Sequence, residues 1–170
     1  MAPADEIFFR PATIDDIPLI QDLASRIWRE HYPGIITQAQ IDYMLEKMYA
    51  PDVIRDEIGN KGHRYVLAQQ GREPVGFAAY VHEPAEHAVK ISKLYLLPSL
   101  HGKGIGRRML QLVKDDALRS GARMVMLFVN RNNVKAIRAY ERFGFAKARE
   151  VVTDIGGGFV MDDYQMVLPF

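Results

Sequence analysis

Three glycines at alternate positions, Gly102, Gly104 and Gly106, interleave with Lys103 and run into Arg107 and Arg108. They follow an aliphatic stretch, Leu94-Tyr95-Leu96-Leu97, that ends at Pro98, so the run lies where a strand hands over to a helix. Glycine lets the backbone take positive φ and bring its N–H groups close to a bound oxyanion. The start of the following helix adds partial positive charge at the same place. A pyrophosphate suits that chemistry, with Lys103, Arg107 and Arg108 as mobile countercharge; a purely structural glycine turn is the alternative. Single residues exclude two familiar phosphate loops. A dinucleotide fingerprint needs its third glycine at position 107, which is Arg, and no Gly-Lys-Ser/Thr tripeptide follows. Redox and nucleotide-hydrolysis chemistry lose their support.

A second run extends from Asn130-Arg131-Asn132-Asn133 to Phe143-Gly144-Phe145. Asn133, Ala136 and Tyr140 stand at i, i+3 and i+7, which places them along one face of one helix. An Asn at a helix start is ordinarily an N-cap, and a Tyr on an amphipathic face is ordinarily core. Elsewhere, Asp162 and Asp163 suit the binding of an ammonium group or else a solvated surface. Glu83 and Glu30 are candidate bases. His82 and His87 lie in a polar hairpin, where imidazoles are ordinarily solvated. With no metal-binding motif beside them, no metal is expected.

In this order, the two runs resemble the GNAT superfamily of N-acetyltransferases. Its signatures are Gln/Arg-x-x-Gly-x-Gly/Ala opening a helix, here His101-Gly102-Lys103-Gly104-Ile105-Gly106, and Asn-x-x-Ala-x-x-x-Tyr-x-x-x-Gly-Phe, here Asn133 to Phe145. His101 departs from Gln or Arg and leaves the glycine geometry intact. The resemblance implies an α/β (α+β) GNAT fold: a central mixed, mostly antiparallel sheet of six to seven strands, with a V-shaped splay between strands 4 and 5, flanked by about four helices. It implies acetyl-CoA as the acetyl donor, leaving as coenzyme A. The pantetheine arm would lie in the splay against the backbone of Leu94, Tyr95 and Leu96. His101, Gly102, Lys103, Gly104, Ile105, Gly106 and Arg107 would surround the pyrophosphate, and Asn133 and Ala136 would contact the cofactor. Tyr140 would protonate the departing thiolate and the Leu96 N–H would stabilise the oxyanion, while an amine attacks directly in a ternary complex. Many relatives place a Glu base four residues before Leu94, a position held here by Lys90.

The resemblance extends over nearly the whole chain: the Ile7 to Thr13 opening, the helical insertion and Phe159-Val160-Met161-Asp162-Asp163-Tyr164 resemble bacterial polyamine-acetylating enzymes of the PaiA type. A polyamine or other small cationic amine is the substrate it implies. Two other functions stay open: a non-catalytic acyl-CoA sensor on the same fold, or an acetyltransferase for amino acids or protein N-termini. Many relatives dimerise, so a homodimer is a possible assembly.

These groups need elements to hold them. Ile7 to Ala12 reads as a strand. Ile17, Ile20, Leu23, Ala24 and Ile27 mark a helix opening near Thr13, and Ile41, Met44, Leu45 and Met48 mark another that starts at Thr37 and ends before Pro51. Arg64 to Leu97 reads as an antiparallel meander of three strands. A helix from Ile105 to Gly121, the strand MVMLFV and a helix over roughly Val134 to Phe143 follow. Two strands flanking Gly156-Gly157-Gly158 close the chain as a hairpin.

The 170 residues suit one domain over 1–170, and the absence of cysteine excludes thiol catalysis, iron–sulfur clusters and cysteine-based zinc sites. Without a signal-like or membrane-length apolar run, a cytoplasmic protein with no membrane partner is expected. Charge is polarised: residues 101–149 hold 12 Lys and Arg against 3 acids, leaving 10 basic and 18 acidic residues elsewhere. The two parts carry +9 and −8, which suits a polyanion on one and a small cationic amine on the other. Arg123, Arg131, Lys135, Arg138 and Arg142 alone do not make a nucleic-acid module, and no nucleic-acid partner is expected.

Overall fold

The computed structural model describes residues 5–170. Its elements follow in the order β1 (Ile7–Pro11), α1 (Ile17–His31), α2 (Gln38–Met48), α3 (Pro51–Gly59), β2 (Arg64–Gln70), β3 (Glu73–Glu83), β4 (Ala88–Leu96), α4 (Ile105–Arg119), β5 (Met124–Asn130), α5 (Val134–Phe143), β6 (Ala146–Gly156) and β7 (Phe159–Pro169). Five helices flank the sheet, where about four are expected. Pro51 does not merely end α2; it opens α3, because a residue without an N–H and with φ preset near the helical value fits a first turn. Among the described residues no helix is long and apolar enough to cross a membrane.

The seven strands form one sheet in the order β1-β2-β3-β4-β5-β7-β6. Every neighbouring pair is antiparallel except β4 and β5. Their parallel pairing joins only Ala88 to Ile91 with Met124 to Leu127. Past that point β4 runs on to Leu96 and β5 to Asn130 without pairing, so the two strands open as a V. The opening begins at an irregularity in β4: Ile91 pairs with Tyr80 and Lys93 with Ala79, leaving Ser92 as an extra residue whose Oγ donates to Ala79 O at 3.2 Å. Such a bulge bends its strand and turns it away from one neighbour.

Helices cover both faces. In α1, Ile17, Ile20, Leu23, Ala24, Ile27 and Trp28 recur at helical spacing and are all buried, packing with Ile41, Ile54, Leu67 and Phe77. On the other face Leu110, Val113 and Ala117 of α4 and Ile137 of α5 meet Val89, Val125, Leu127 and Met166. Burying one such aliphatic side chain contributes roughly 1.5–3 kcal/mol. Helix α2 is pinned to the terminal hairpin: Tyr43 OH donates to Ile155 O at 2.6 Å and Gln40 Nε2 to Val160 O at 2.8 Å. The far end of the splay is thereby walled on the α1–α2 side.

Candidate active site

A cleft of about 720 Å³ passes through the splay, from the glycine turn and α5 on one side to α1, α2 and the β6–β7 hairpin on the other. Strand alternation decides which backbone groups reach it. Leu97 donates its N–H to Val75 O at 2.9 Å, toward β3. Tyr95, two residues earlier, faces β3 as well, so the amides of Leu94 and Leu96 face the opening. The Tyr95 backbone, expected at the opening with its two neighbours, therefore faces β3 instead. Tyr95 instead presents its side chain to the α1 layer, where its OH lies 3.3 Å from Tyr32 OH and its ring 5.6 Å from that of Trp28.

His101, the departure from the first signature, has a defined place: its Nε2 donates to Leu96 O at 3.0 Å, closing the turn against the strand end. Gly102 and Gly104 have φ of +79° and +80°, where side chains are strained, and a Cβ at either would meet no atom within 4 Å. With Gly106 they leave an open cradle beside the first, unpaired amides of α4. Arg107 lines the cradle and stacks over Phe143, its guanidinium carbon 5.2 Å from the ring centroid. Two members of the run contribute backbone and not side chain to the cradle: the Ile105 side chain is buried in the core with Met109 and Leu100 while its amide opens α4, and the Lys103 side chain is exposed and does not line the cleft.

Asn133 precedes α5 but makes no capping bond. Its buried side chain turns into the cleft, where Oδ1 accepts from His31 Nε2 at 3.1 Å and so ties the end of α1 to the start of α5. Ala136 and Tyr140 lie on the same face of α5 and also line the cleft. Burial, and secondarily Tyr32, raise the Tyr140 phenol above its ordinary range. It therefore holds its proton at neutral pH, and its surroundings, not nearby cations, set that affinity.

The remaining acids divide. Asp163 lines the cleft and is 8% exposed; burial and the adjacent Asp162 push its carboxyl up to about 6. Asp162, next along β7, points to the opposite face and accepts from Arg131 Nε at 2.8 Å. Glu83 sits 3.7 Å from Lys90, and neither it nor the exposed Glu30 lines the cleft.

Several lining residues carried no signal of their own in the sequence. Trp28 and Tyr32 continue the apolar stripe of α1, and their ring centroids lie 4.6 Å apart. Met44, Met161 and Val151 supply apolar wall. Lys93 is buried, with its Nζ 3.0 Å from both oxygens of Glu57, while Tyr65 OH donates to Glu57 Oε2 at 2.8 Å. Burial lowers the Lys93 ammonium and Glu57 opposes that shift.

Residues 20–145 match the Acetyltransferase (GNAT) family. A spermidine N(1)-acetyltransferase of Thermoplasma acidophilum is 23% identical over 160 residues, 92% of this chain and 96% of the relative. Uncharacterised N-acetyltransferases of Mycobacterium bovis and M. tuberculosis are 38% identical over 93 residues, 55% of this chain. The match spans 58% of the length of these mycobacterial relatives. Among solved structures, the PaiA N-acetyltransferase of T. acidophilum in complex with coenzyme A superposes with a TM-score of 0.81 at 20% identity, covering 97% of this chain and 99% of that one. The glycine turn, the whole of the splayed β4–β5 pair and α5 lie inside the matched segment, and the chain belongs to the GNAT acetyltransferase family.

Proposed function

We propose that this protein transfers the acetyl group of acetyl-CoA to a primary amine. The observation that carries the reading is the splay itself. An unpaired strand edge at Leu94 and Leu96, a glycine cradle at a helix start and a buried carboxylate at Asp163 line one continuous cleft. The residues fit the donor. Leu94 and Leu96 offer backbone groups to an extended amide arm. The Gly102 to Gly106 amides with Arg107 offer donors and charge to a pyrophosphate. Bound there, acetyl-CoA supplies an activated acetyl thioester.

The chain's own groups divide the remaining work. Asp163, raised toward neutrality, attracts an ammonium and accepts a proton as the amine becomes nucleophilic. It supplies the carboxylate missing at Lys90. The Leu96 N–H is a donor for the oxyanion. Tyr140, which keeps its phenolic proton, donates it to the leaving sulfur. The polyamine reading draws on the spermidine acetyltransferase relative and on the acidic remainder of the chain. Among the described residues it would find one free carboxylate in the cleft, Asp163, since Asp162 is bonded to Arg131 on the other face. A cytoplasmic setting belongs to the same proposal.

The test is thiol release from acetyl-CoA across a panel of amines, beside the melting temperature with coenzyme A. Tyr140→Phe should lower kcat by about 10²–10⁴-fold, the usual worth of a positioned acid, while leaving stabilisation by coenzyme A in place. Unchanged turnover refutes that role. Stabilisation without thiol release from any amine would favour the acyl-CoA sensor, the reading to which Lys90 at the customary Glu position lends weight.

A further inference from the structure

The acceptor side of the cleft is asymmetric in charge, and that asymmetry bears on what kind of amine it takes. Asp163 is its one unpaired acid among the described residues: Glu57 is bonded to Lys93, and Glu83 and Asp162 lie outside. Of the cations that line the cleft, Lys93 is matched by Glu57 and Lys90 by Glu83 at 3.7 Å, whereas Arg107, Lys135 and Arg142 on α4 and α5 and Arg149 on β6 have no carboxylate partner among the described residues. Arg149 is the one of these four on the terminal hairpin beside Asp163.

The register of the sheet places Arg149 in relation to Asp163. Asp163 pairs with Val151 and Gln165 with Arg149. Arg149 and Asp163 are thus diagonal neighbours on one face, their Cα positions about 7–8 Å apart as such pairs are in antiparallel sheets. The Arg149 guanidinium is oriented by its Nε, which donates to Gln165 Oε1 at 2.6 Å. Arg149 lines the cleft and its Nη groups have no partner among the described residues, which leaves free the fork that grips a carboxylate through two hydrogen bonds. The nearby acids do not compete, because Glu150 and Asp162 are both drawn to Arg131 on the opposite face. Val151, opposite Asp163 and two residues along β6 from Arg149, supplies apolar surface beside the two charges, while Phe128 flanks the other side of β7.

Resting on the transfer reading, we propose that the acceptor is a primary amine that also carries a carboxylate, an amino acid or ω-amino acid. Its amine sits at Asp163, its apolar body crosses Val151 and its carboxylate pairs with Arg149. A second ammonium in that place would face an unneutralised guanidinium, so diamines are disfavoured at this position.

Two isosteric series test this: 6-aminohexanoate, hexylamine and 1,6-diaminohexane, and their four-carbon counterparts. Thiol release should rank amino acid, alkylamine, diamine in falling kcat/KM, with about tenfold between the first two, and Arg149→Gln should bring that ratio to within about twofold. Gln165→Leu, which frees the Arg149 Nε without removing the charge, should shrink the ratio as well. A diamine ranking first, or a ratio kept in Arg149→Gln, overturns the proposal. Calorimetric binding of the same amines to the protein with coenzyme A separates this inference from the transfer reading. The same ranking in binding, lost in Arg149→Gln, with no thiol release upholds the carboxylate subsite and refutes transfer. Thiol release without ranking refutes the subsite alone, and neither binding nor release with any of the six refutes both.

Discussion

Asp163→Asn is the substitution whose consequences follow most directly from the site. The carboxyl moves from an ordinary 3.8 to about 6 because the folded protein buries it beside Asp162. At about 1.36 kcal/mol per pH unit, the ionised form costs the native state about 3 kcal/mol. Water reaching the cleft screens part of this, so the figure is a ceiling. Between pH 4 and 6 the native state holds a proton that the unfolded chain has released, so stability falls as pH rises through that window and stays lowered above it. An amide at position 163 carries no charge to desolvate. The variant should match the parent near pH 3.5 and exceed it at pH 7 by up to about 3 kcal/mol, a rise in melting temperature of up to roughly 5–10 °C for a chain of this size. Urea unfolding of both proteins from pH 3.5 to 8 measures the difference directly. Stabilisation should come with loss of function: the parent's kcat/KM for the amine falls as pH drops through about 6, and the variant, already slow, lacks that limb. Parallel stability curves for the two proteins between pH 4 and 7 would refute the assignment of a strained, buried carboxylate.

Three further outcomes rest on other parts of the frame. Lys93→Met strands the Glu57 carboxylate in the α1–α3 layer and should cost about 3–5 kcal/mol in urea unfolding, most of it recovered when Glu57→Gln is added. Gly76→Ala would place a Cβ 2.6 Å from Tyr95 O and 3.0 Å from Leu96 Cδ1. Moving β3 and β4 apart there should cost about 1–3 kcal/mol and weaken coenzyme A binding by calorimetry, since Leu96 forms the edge of the splay. Tyr43→Phe removes the 2.6 Å bond to Ile155 O that pins the terminal hairpin to α2. About 1 kcal/mol of stability should be lost, and KM for the amine should rise while that for acetyl-CoA holds.

The placement of the glycine turn and of the α5 face was legible because it is local. Gly102, Gly104 and Gly106 stand within five residues of one another, and Asn133, Ala136 and Tyr140 on a single helix face, so spacing along the chain already implied neighbourhood in space. The meander and the terminal hairpin were legible for the same reason, being built from consecutive strands bounded by turn residues. Helix α3 was not, since a proline after an amphipathic stretch reads equally as a stop or as a first turn, and only packing of Ile54 into the core distinguishes them.

The acceptor side had no such shorthand. Asp163 and Arg149 stand on one face and Asp162 and Glu150 on the other because β7 inserts between β5 and β6 in one register, and a shift of one residue would exchange them. His31 meets Asn133 across a separation of 102 residues, and Lys93 meets Glu57 across 36. The sequence alone determined the glycine turn, the order of the elements and which groups have the chemistry to hold a pyrophosphate or yield a proton, because those properties reside in residue type and short-range spacing. The tertiary structure decided where the strands part, which acid is buried and raised, and which cations are left unpaired around it, because those depend on burial and on partners brought together from distant parts of the chain.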